Sequence, residues 1–280
     1  SPLTADTGRL KAIDADHRFA FSRTLAPLSN RNSIIALTQS GFTVLPWAYD
    51  AAVAVPSIER IVNAADQGQP IAPGGLISLI GRDLSLSNMA TQEVPRPAAL
   101  AESCVTVNGA TMPLILVSST QVNAQLPFNV SGRGQFLLRT PGGVSDTVFK
   151  DISPTAPSVF RAAGSGTVIR EQNAELVSEA NPVRAGDTLV IYATGLGVTS
   201  PAIDAGMPAP SDNLALAVTR PEVSLNGVPL AVSYAGLAPG EVGIYQINVS
   251  VPGGVGGGAN VPLTIRQGAM DTTLNVNVVE

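Results

Sequence analysis

The sequence predicts an all-β chain: two tandem homologous immunoglobulin-like β-sandwich domains preceded by a short β segment. Three observations carry this. First, the 280 residues are 45% apolar and 13% charged, and short runs of Val, Ile, Leu and Thr are broken by 27 Gly and 22 Pro, the punctuation of strands and turns. Second, one phrase is written twice: "QVNAQLP" (121–127) and "QINVSVP" (246–252) align on Gln121 and Gln246, 125 positions apart. Third, further phrases repeat in the same order. "VPSIERI" (55–61) faces "APSVFRA" (156–162), with Ser57 on Ser158; "APGGLISLIGRDL" (72–84) faces "RAGDTLVIYATGL" (184–196), with Leu76 on Thr188. "VTVNG" (105–109) faces "VSLNG" (223–227), and "GGVSDT" (142–147) faces "RQGAMDT" (266–272), with Gly143 on Gly268. The spacing rises from 101 through 112 and 118 to 125, the pattern of two copies of one domain whose second has longer loops. The copies run over 55–153 and 154–280, each near the ~100 residues of such a sandwich. The last match holds without a gap from Gln121 to Thr147.

Residues 1–54 lie outside the repeat. "RFAFSRTL" (18–25) reads as a strand and "NSIIALTQSGFTVLPWAYD" (32–50) as a hairpin turning at Gln39-Ser40-Gly41, with Trp47 near its end. Three strands alone leave open edges and an uncovered apolar face, so Phe21, Ile35, Leu37, Phe42, Val44 and Trp47 are the candidate subunit-interface residues. The adjacent sandwich, the remainder of a larger fold or a neighbouring subunit would cover that face. A donor segment that differs from its acceptor gives a head-to-tail contact, hence a ring or an open filament.

Within the repeats, "LISLIG" (76–81) and "TLVIYATG" (188–195) are nearly continuous apolar strands entered from a Gly turn, as in a sheet buried between layers, and this places Tyr192 and Tyr245 in core strands. Asn108-Gly109 and Asn226-Gly227 sit between apolar runs, the signature of a type I′ hairpin. In the doubled phrase, alternation sets Val122, Ala124 and Leu126, or Ile247, Val249 and Val251, on one face and the amides on the other; a Pro then closes each strand. The amide row reads as a solvated face, or as amides satisfying nearby loop backbone, before it reads as a ligand site.

The chemistry-bearing residues are few. A net charge of −5 with no Lys/Arg cluster argues against nucleic acid or anionic lipid as partners, and no apolar stretch approaches the roughly 18–20 residues of a membrane span. The chain begins at Ser1 without an initiator Met, as a processed or excised fragment would. The lone Cys104 has no disulfide partner and reads as a small buried hydrophobe, while the lone His17 has no His or Cys companion for a metal or a catalytic triad. Carboxylates are scattered, and the Gly-rich "VPGGVGGGAN" (251–260) joins two strands as a hairpin end rather than opening a helix around a phosphate. Asn129-Val130-Ser131 and Asn248-Val249-Ser250 fit the N-glycosylation pattern, which often arises by chance. The sequence therefore reads as a non-enzyme, with no catalytic, cofactor-binding or metal residues.

The phrases "IVNAAD" (61–66), "IAPGGLISLIGRDL" (71–84), "TQVNAQLPFNV" (120–130), "NPVRAGDTLVIYATGLG" (181–197) and "VSYAGLAPGEVGIYQINVSVP" (232–252), in that order, resemble an uncharacterised C-terminal domain family abundant in Acidobacteria of the Solibacter type. The resemblance covers about 55–280; the Gly-rich strand openings resemble IPT/TIG domains more weakly. It implies an exported module, extracellular or at the cell surface, and likens residues 1–54 to the end of a propeller blade; it carries no activity and no functional residues. The function expected is a non-catalytic structural or assembly module, a filament subunit or the end of a larger exported protein. Its partner would be itself, in a head-to-tail polymer, or other surface proteins, with no nucleic acid, membrane span or cofactor. The alternative is an adhesion or glycan/protein-binding module.

Overall fold

The computed structural model describes residues 25–27, 33–38, 41–46, 53–68, 70–162 and 165–279; every regular element among them is a strand. The chain divides into two compact units at Ala54/Val55. In the first, β1 (Leu25–Pro27), β2 (Ser33–Thr38) and β3 (Gly41–Pro46) form an antiparallel sheet in that order. The hairpin is in the expected place, Thr38 pairing with Gly41, whereas all of "RFAFSRTL" except Leu25 lies outside the described residues.

The second unit holds the two immunoglobulin-like sandwiches. In the first of them, β4 (Ser57–Asn63), β5 (Leu76–Arg82) and β6 (Met89–Ala90) belong to one sheet, and β7 (Cys104–Val107) and β8 (Ala110–Thr111) to the other. They are followed by β9 (Leu114–Val117), β10 (Gln121–Gln125), β11 (Gly132–Thr140), β12 (Gly143–Val144) and β13 (Val148–Ile152). The sheets run β4-β5-β10-β9-β6 and β12-β11-β7-β8, with β13 on β11. Their inner faces enclose Ile61, Leu79, Val105, Val122, Phe136 and Leu138, all but removed from water. Burying an aliphatic side chain of this kind contributes roughly 1.5–3 kcal/mol.

The second sandwich opens with the short strands β14 (Ser158–Val159), β15 (Arg161–Ala162), β16 (Ser165–Gly166), β17 (Val168–Arg170) and β18 (Glu175–Leu176), ahead of the central β19 (Thr188–Thr194). Then come β20 (Thr199–Ser200), β21 (Leu216–Ala217), β22 (Glu222–Leu225), β23 (Val228–Leu237), β24 (Tyr245–Ser250), β25 (Gly258–Gln267) and β26 (Met270–Val278). Pairing is continuous along β18-β17-β19-β24-β23-β22-β25-β26, because the long β23 pairs with β24 through one half and β22 through the other. Its core, from Val159 to Val278, is separate from that of the first sandwich.

The repeat is preserved down to register. Gln121 lies opposite Ile80 and Asn123 opposite Ser78; Gln246 lies opposite Tyr192 and Asn248 opposite Val190, the same pairs displaced by 125 and 112 positions. Asn108-Gly109 and Asn226-Gly227 turn with φ of 50° and 82°, and 54° and 77°, as a type I′ hairpin demands. Two expectations are corrected. The ungapped match through Thr147 fails in the structure: Phe136 faces Val107 whereas Leu263 faces Leu225, a spacing of 127. A slip of two residues keeps every side chain on its face, so the sequences align almost equally well in either register, and only the pairing with β7 and β22 decides. The Gly-rich run 251–260 is no hairpin end either, because β24 and β25 lie on different parts of the sheet path and its last residues, Gly258-Ala259-Asn260, already belong to β25.

The sandwiches meet in a buried polar seam. Five residues, 153–157, connect β13 to β14, and Thr155 and Ala156 among them are buried. Gln125, only 1% exposed, accepts from the Gly206 N–H (2.6 Å) and donates to the Gly74 carbonyl (3.1 Å). The buried Thr194 hydroxyl accepts from the Leu76 N–H (2.8 Å) and donates to the Gly243 carbonyl (2.9 Å), while Arg96 N–H reaches the Gly206 carbonyl (2.8 Å). The backbones close to within a side chain's width: a Cβ on Gly75 would stand 3.1 Å from the Gly195 Cα.

Candidate ligand-binding face

The doubled strand phrase accounts for its own amides. Residues two apart on a strand point the same way about 6.6–7 Å apart, within reach of a Gln side chain. Gln121 Nε2 donates to Asn123 Oδ1 (2.7 Å), which also accepts from the Ser78 hydroxyl (2.8 Å), and Gln246 Nε2 donates to Asn248 Oδ1 (2.8 Å). Each pair is a half-buried amide ladder on an outer sheet face, and Asn248 is thereby engaged in a strand rather than displayed for glycosylation. Gln125 departs from the alternation rule, since the neighbouring sandwich covers it.

Tyr245 is fully buried, donates its hydroxyl to the Gly197 carbonyl, and has its phenol pushed far up by burial. Tyr192, by contrast, is not a core residue: β19 buries Leu189, Ile191 and Ala193, so the opposite phase carries Tyr192 to the outer face beside Gln246. There it lines a depression of about 330 Å3 with Phe160, Thr167, Glu241, Ile244 and Gln246. Three backbone bonds close a ring through its wall: Phe160 N–H to the Tyr192 carbonyl (3.1 Å), Tyr192 N–H to the Thr167 carbonyl (3.1 Å) and Thr167 N–H to the Phe160 carbonyl (2.6 Å). The opposite wall is held by the Ala238 N–H on the Ile244 carbonyl (2.9 Å) and the Glu241 N–H on the Ala238 carbonyl (3.0 Å).

Larger depressions have poorer chemistry. One of about 710 Å3 overlies β22, β23 and β25, where Glu222 lies opposite Arg266 and Arg220 donates to the Val232 carbonyl. Another, of about 520 Å3, has its one aromatic ring, Phe149, already covered by Arg133 at 4.7 Å. The tightest ion pair among the described residues is architectural: Arg170 binds Asp187 through Nε (2.7 Å) and its terminal nitrogen (2.9 Å), and donates to Asn181 Oδ1 (2.7 Å), which ties β17 to the entrance of β19. The Asp187 hydrogen bond raises the Arg170 guanidinium further above its ordinary range.

Cys104 is half-buried rather than buried, with burial pushing its thiol up against the pull of Arg139 across the ladder. Of the candidate interface residues, Ile35 lies opposite Val44 and Leu37 opposite Phe42 in the ladder; Phe21 and Trp47 lie outside the described residues, as does His17. Sequence reasoning missed Tyr192 because Val190 and Tyr192 make the outer phase of β19 as apolar as the inner, which erases the alternation signal.

No family model matches the sequence, and no curated protein matches it. Among solved structures, a surface glycan-binding protein of Prevotella bryantii is similar at 12% identity and a TM-score of 0.25, over 80% of this chain and 42% of that one. The surface glycan-binding protein of a Bacteroides ovatus mixed-linkage glucan utilization locus, solved with a heptasaccharide, is similar at 13% identity and a TM-score of 0.33, over 88% and 53%. The I9–I11 tandem of titin is similar at 12% and 0.22, over 90% and 76%. The chain thus spans about half or less of the two glycan-binding proteins.

Proposed function

We propose that this chain is a non-catalytic structural module, a stiff two-sandwich spacer or assembly unit of an exported protein that works at the cell surface or outside the cell. The observation that carries the reading is the seam. Hinged tandem domains expose their linker and share few contacts; here Thr155 and Ala156 of the linker are buried, and any bend would strip Gln125 of the Gly206 N–H and Thr194 of the Leu76 N–H. Such a unit holds position between its ends instead of closing on a substrate. The side-chain chemistry agrees: the thiol is pushed up rather than activated, and the strongest ion pair is architectural.

Its partner in this reading is a second copy, contacted head to tail through the N-terminal sheet, whose outer strands β1 and β3 each have one sheet neighbour among the described residues. Small-angle scattering of residues 55–280, a compact unit by itself, tests the stiffness: one rigid envelope is expected, and an ensemble of bent forms would overturn the spacer. Deletion of 1–54 should leave both sandwiches folded and abolish assembly by sedimentation and electron microscopy. Unchanged assembly, or a monomeric full chain at high concentration, would remove self-assembly from the reading. A second reading, an adhesion or glycan/protein-binding module, is favoured by the outward placement of Tyr192 beside Phe160 and Gln246.

A further inference from the structure

We infer that the depression formed by Phe160, Thr167, Tyr192, Glu241, Ile244 and Gln246 binds a neutral carbohydrate, one or two pyranose rings of a polysaccharide chain. The inference deepens the second, binding reading and stands whether or not the module is stiff. A volume of about 330 Å3 lies at the low end of the roughly 300–1,000 Å3 of small-molecule pockets, so the ligand is small or a short stretch of a polymer.

The lining selects its chemistry. Two aromatic rings and Ile244 offer apolar surface, while the Tyr192 hydroxyl, the Thr167 hydroxyl, the Glu241 carboxylate and Gln246 Oε1 make no hydrogen bond within the described protein, the Gln246 amide nitrogen alone being engaged, with Asn248. A wholly apolar ligand would strip water from four polar groups without replacing it. An anion would meet Glu241 with no Lys or Arg in the lining to offset it. A pyranose presents both surfaces that the site offers, a C–H face to stack on a ring and a rim of hydroxyls that donate to a carboxylate and an amide oxygen. The walls are already fixed by backbone hydrogen bonds, which spares the ordering cost of assembling a site on binding.

The first sandwich supplies an internal control. At the equivalent place Gln121 lies opposite Ile80, its amide bonded to Asn123, with no aromatic in the pair. In native affinity gels of the full chain cast with mixed-linkage β-glucan, arabinoxylan, galactomannan or dextran, at least one polysaccharide should retard migration. Tyr192→Ala should weaken that binding by about tenfold, the loss of one aromatic contact; Gln246→Ala should weaken it severalfold, and Gln121→Ala should leave it unchanged. Thermal melts establish that each variant folds; if Tyr192→Ala does not, Gln246→Ala and Tyr192→Phe carry the test. The inference is overturned if no polysaccharide retards the protein, if retardation survives these substitutions, or if a proline-rich peptide binds in a Tyr192-dependent way while every polysaccharide fails.

Discussion

The two sandwiches follow one plan, and the residues they share differ in kind from those they do not. Shared are the elements that set register: the Asn-Gly turns, the Gln-x-Asn ladder, and a bulge that leaves Ile115 unpaired in the first sandwich and Ser233 in the second. Where they differ, single residues explain the difference. Pro113 interrupts the path between β8 and β9 because it has no N–H to return to Gln125, whose own N–H reaches the Pro113 carbonyl; Ala231, its counterpart, has one, and β23 runs unbroken opposite Ser250. Ile80 becomes Tyr192, Gly75 becomes Asp187, and the buried Gln125 becomes the exposed Ser250. Register is held by what is repeated, while surface and seam are decided by what is not.

The largest way to break the comparison is at Asp187, which the first sandwich lacks. Asp187→Ala leaves the Arg170 guanidinium, with its side chain 12% exposed, without its carboxylate. Arg170 keeps Asn181 as a partner, so the loss is that of the charge-assisted hydrogen bonds to the carboxylate, about 1.5–3 kcal/mol. The urea transition of the second sandwich should fall by that amount while tryptic stability of the first is kept; a loss under about 1 kcal/mol would mean that the clamp is ornamental.

Next is the same amide chemistry at two depths on one strand. Gln125→Ala leaves the Gly206 N–H and the Gly74 carbonyl unpaired at the seam, at about 1–3 kcal/mol, and should broaden the scattering envelope of 55–280. Gln121→Ala, on the outer face, should cost within about 0.5 kcal/mol. Equal effects would show that the seam does not depend on its polar bonds.

Alkali separates the sandwiches through Tyr245. Its phenol is raised in the folded state, so the stability it contributes is whole below the unfolded value near pH 10 and falls as pH rises above it, by about 1.4 kcal/mol for each unit while the folded phenol stays protonated. Urea titrations from pH 9 to 11 should show this slope, and Tyr245→Phe should flatten it, leaving the smaller contribution of Tyr234, whose phenol is also raised by burial.

The all-β fold, the doubled domain, both hairpins and the inward faces Val122-Ala124-Leu126 and Ile247-Val249-Val251 were legible because each rests on local chemistry, a turn dipeptide or a two-residue period. What was hidden depends on residues distant in sequence. Nothing near Gln125 tells of Gly206, 81 positions on, and a two-residue slip in β25 leaves no mark on alternation. The candidate site was hidden for the same reason: Phe160, Tyr192 and the pair Glu241 and Gln246 converge from three separate stretches, and their pattern is spatial.

The smallest effect is the most exacting test of equivalence. Gly109 and Gly227 hold φ of 82° and 77°, and a Cβ on either would meet no heavy atom within 4 Å. Replacing each with Ala therefore costs only the left-handed backbone conformation, about 1 kcal/mol. If the two turns are the same device, Gly109→Ala and Gly227→Ala should lower the local stability of their own sandwiches equally, within about 0.5 kcal/mol, when read by hydrogen exchange of the flanking β7–β8 and β22–β23 amides. Each turn lies in a sheet held by its own core, so the effect should stay within one sandwich. Should Gly227→Ala instead raise exchange in β7 and β8, the buried seam couples the two cores into a single cooperative unit, and their likeness would then be one of ancestry and shape rather than of independent folding.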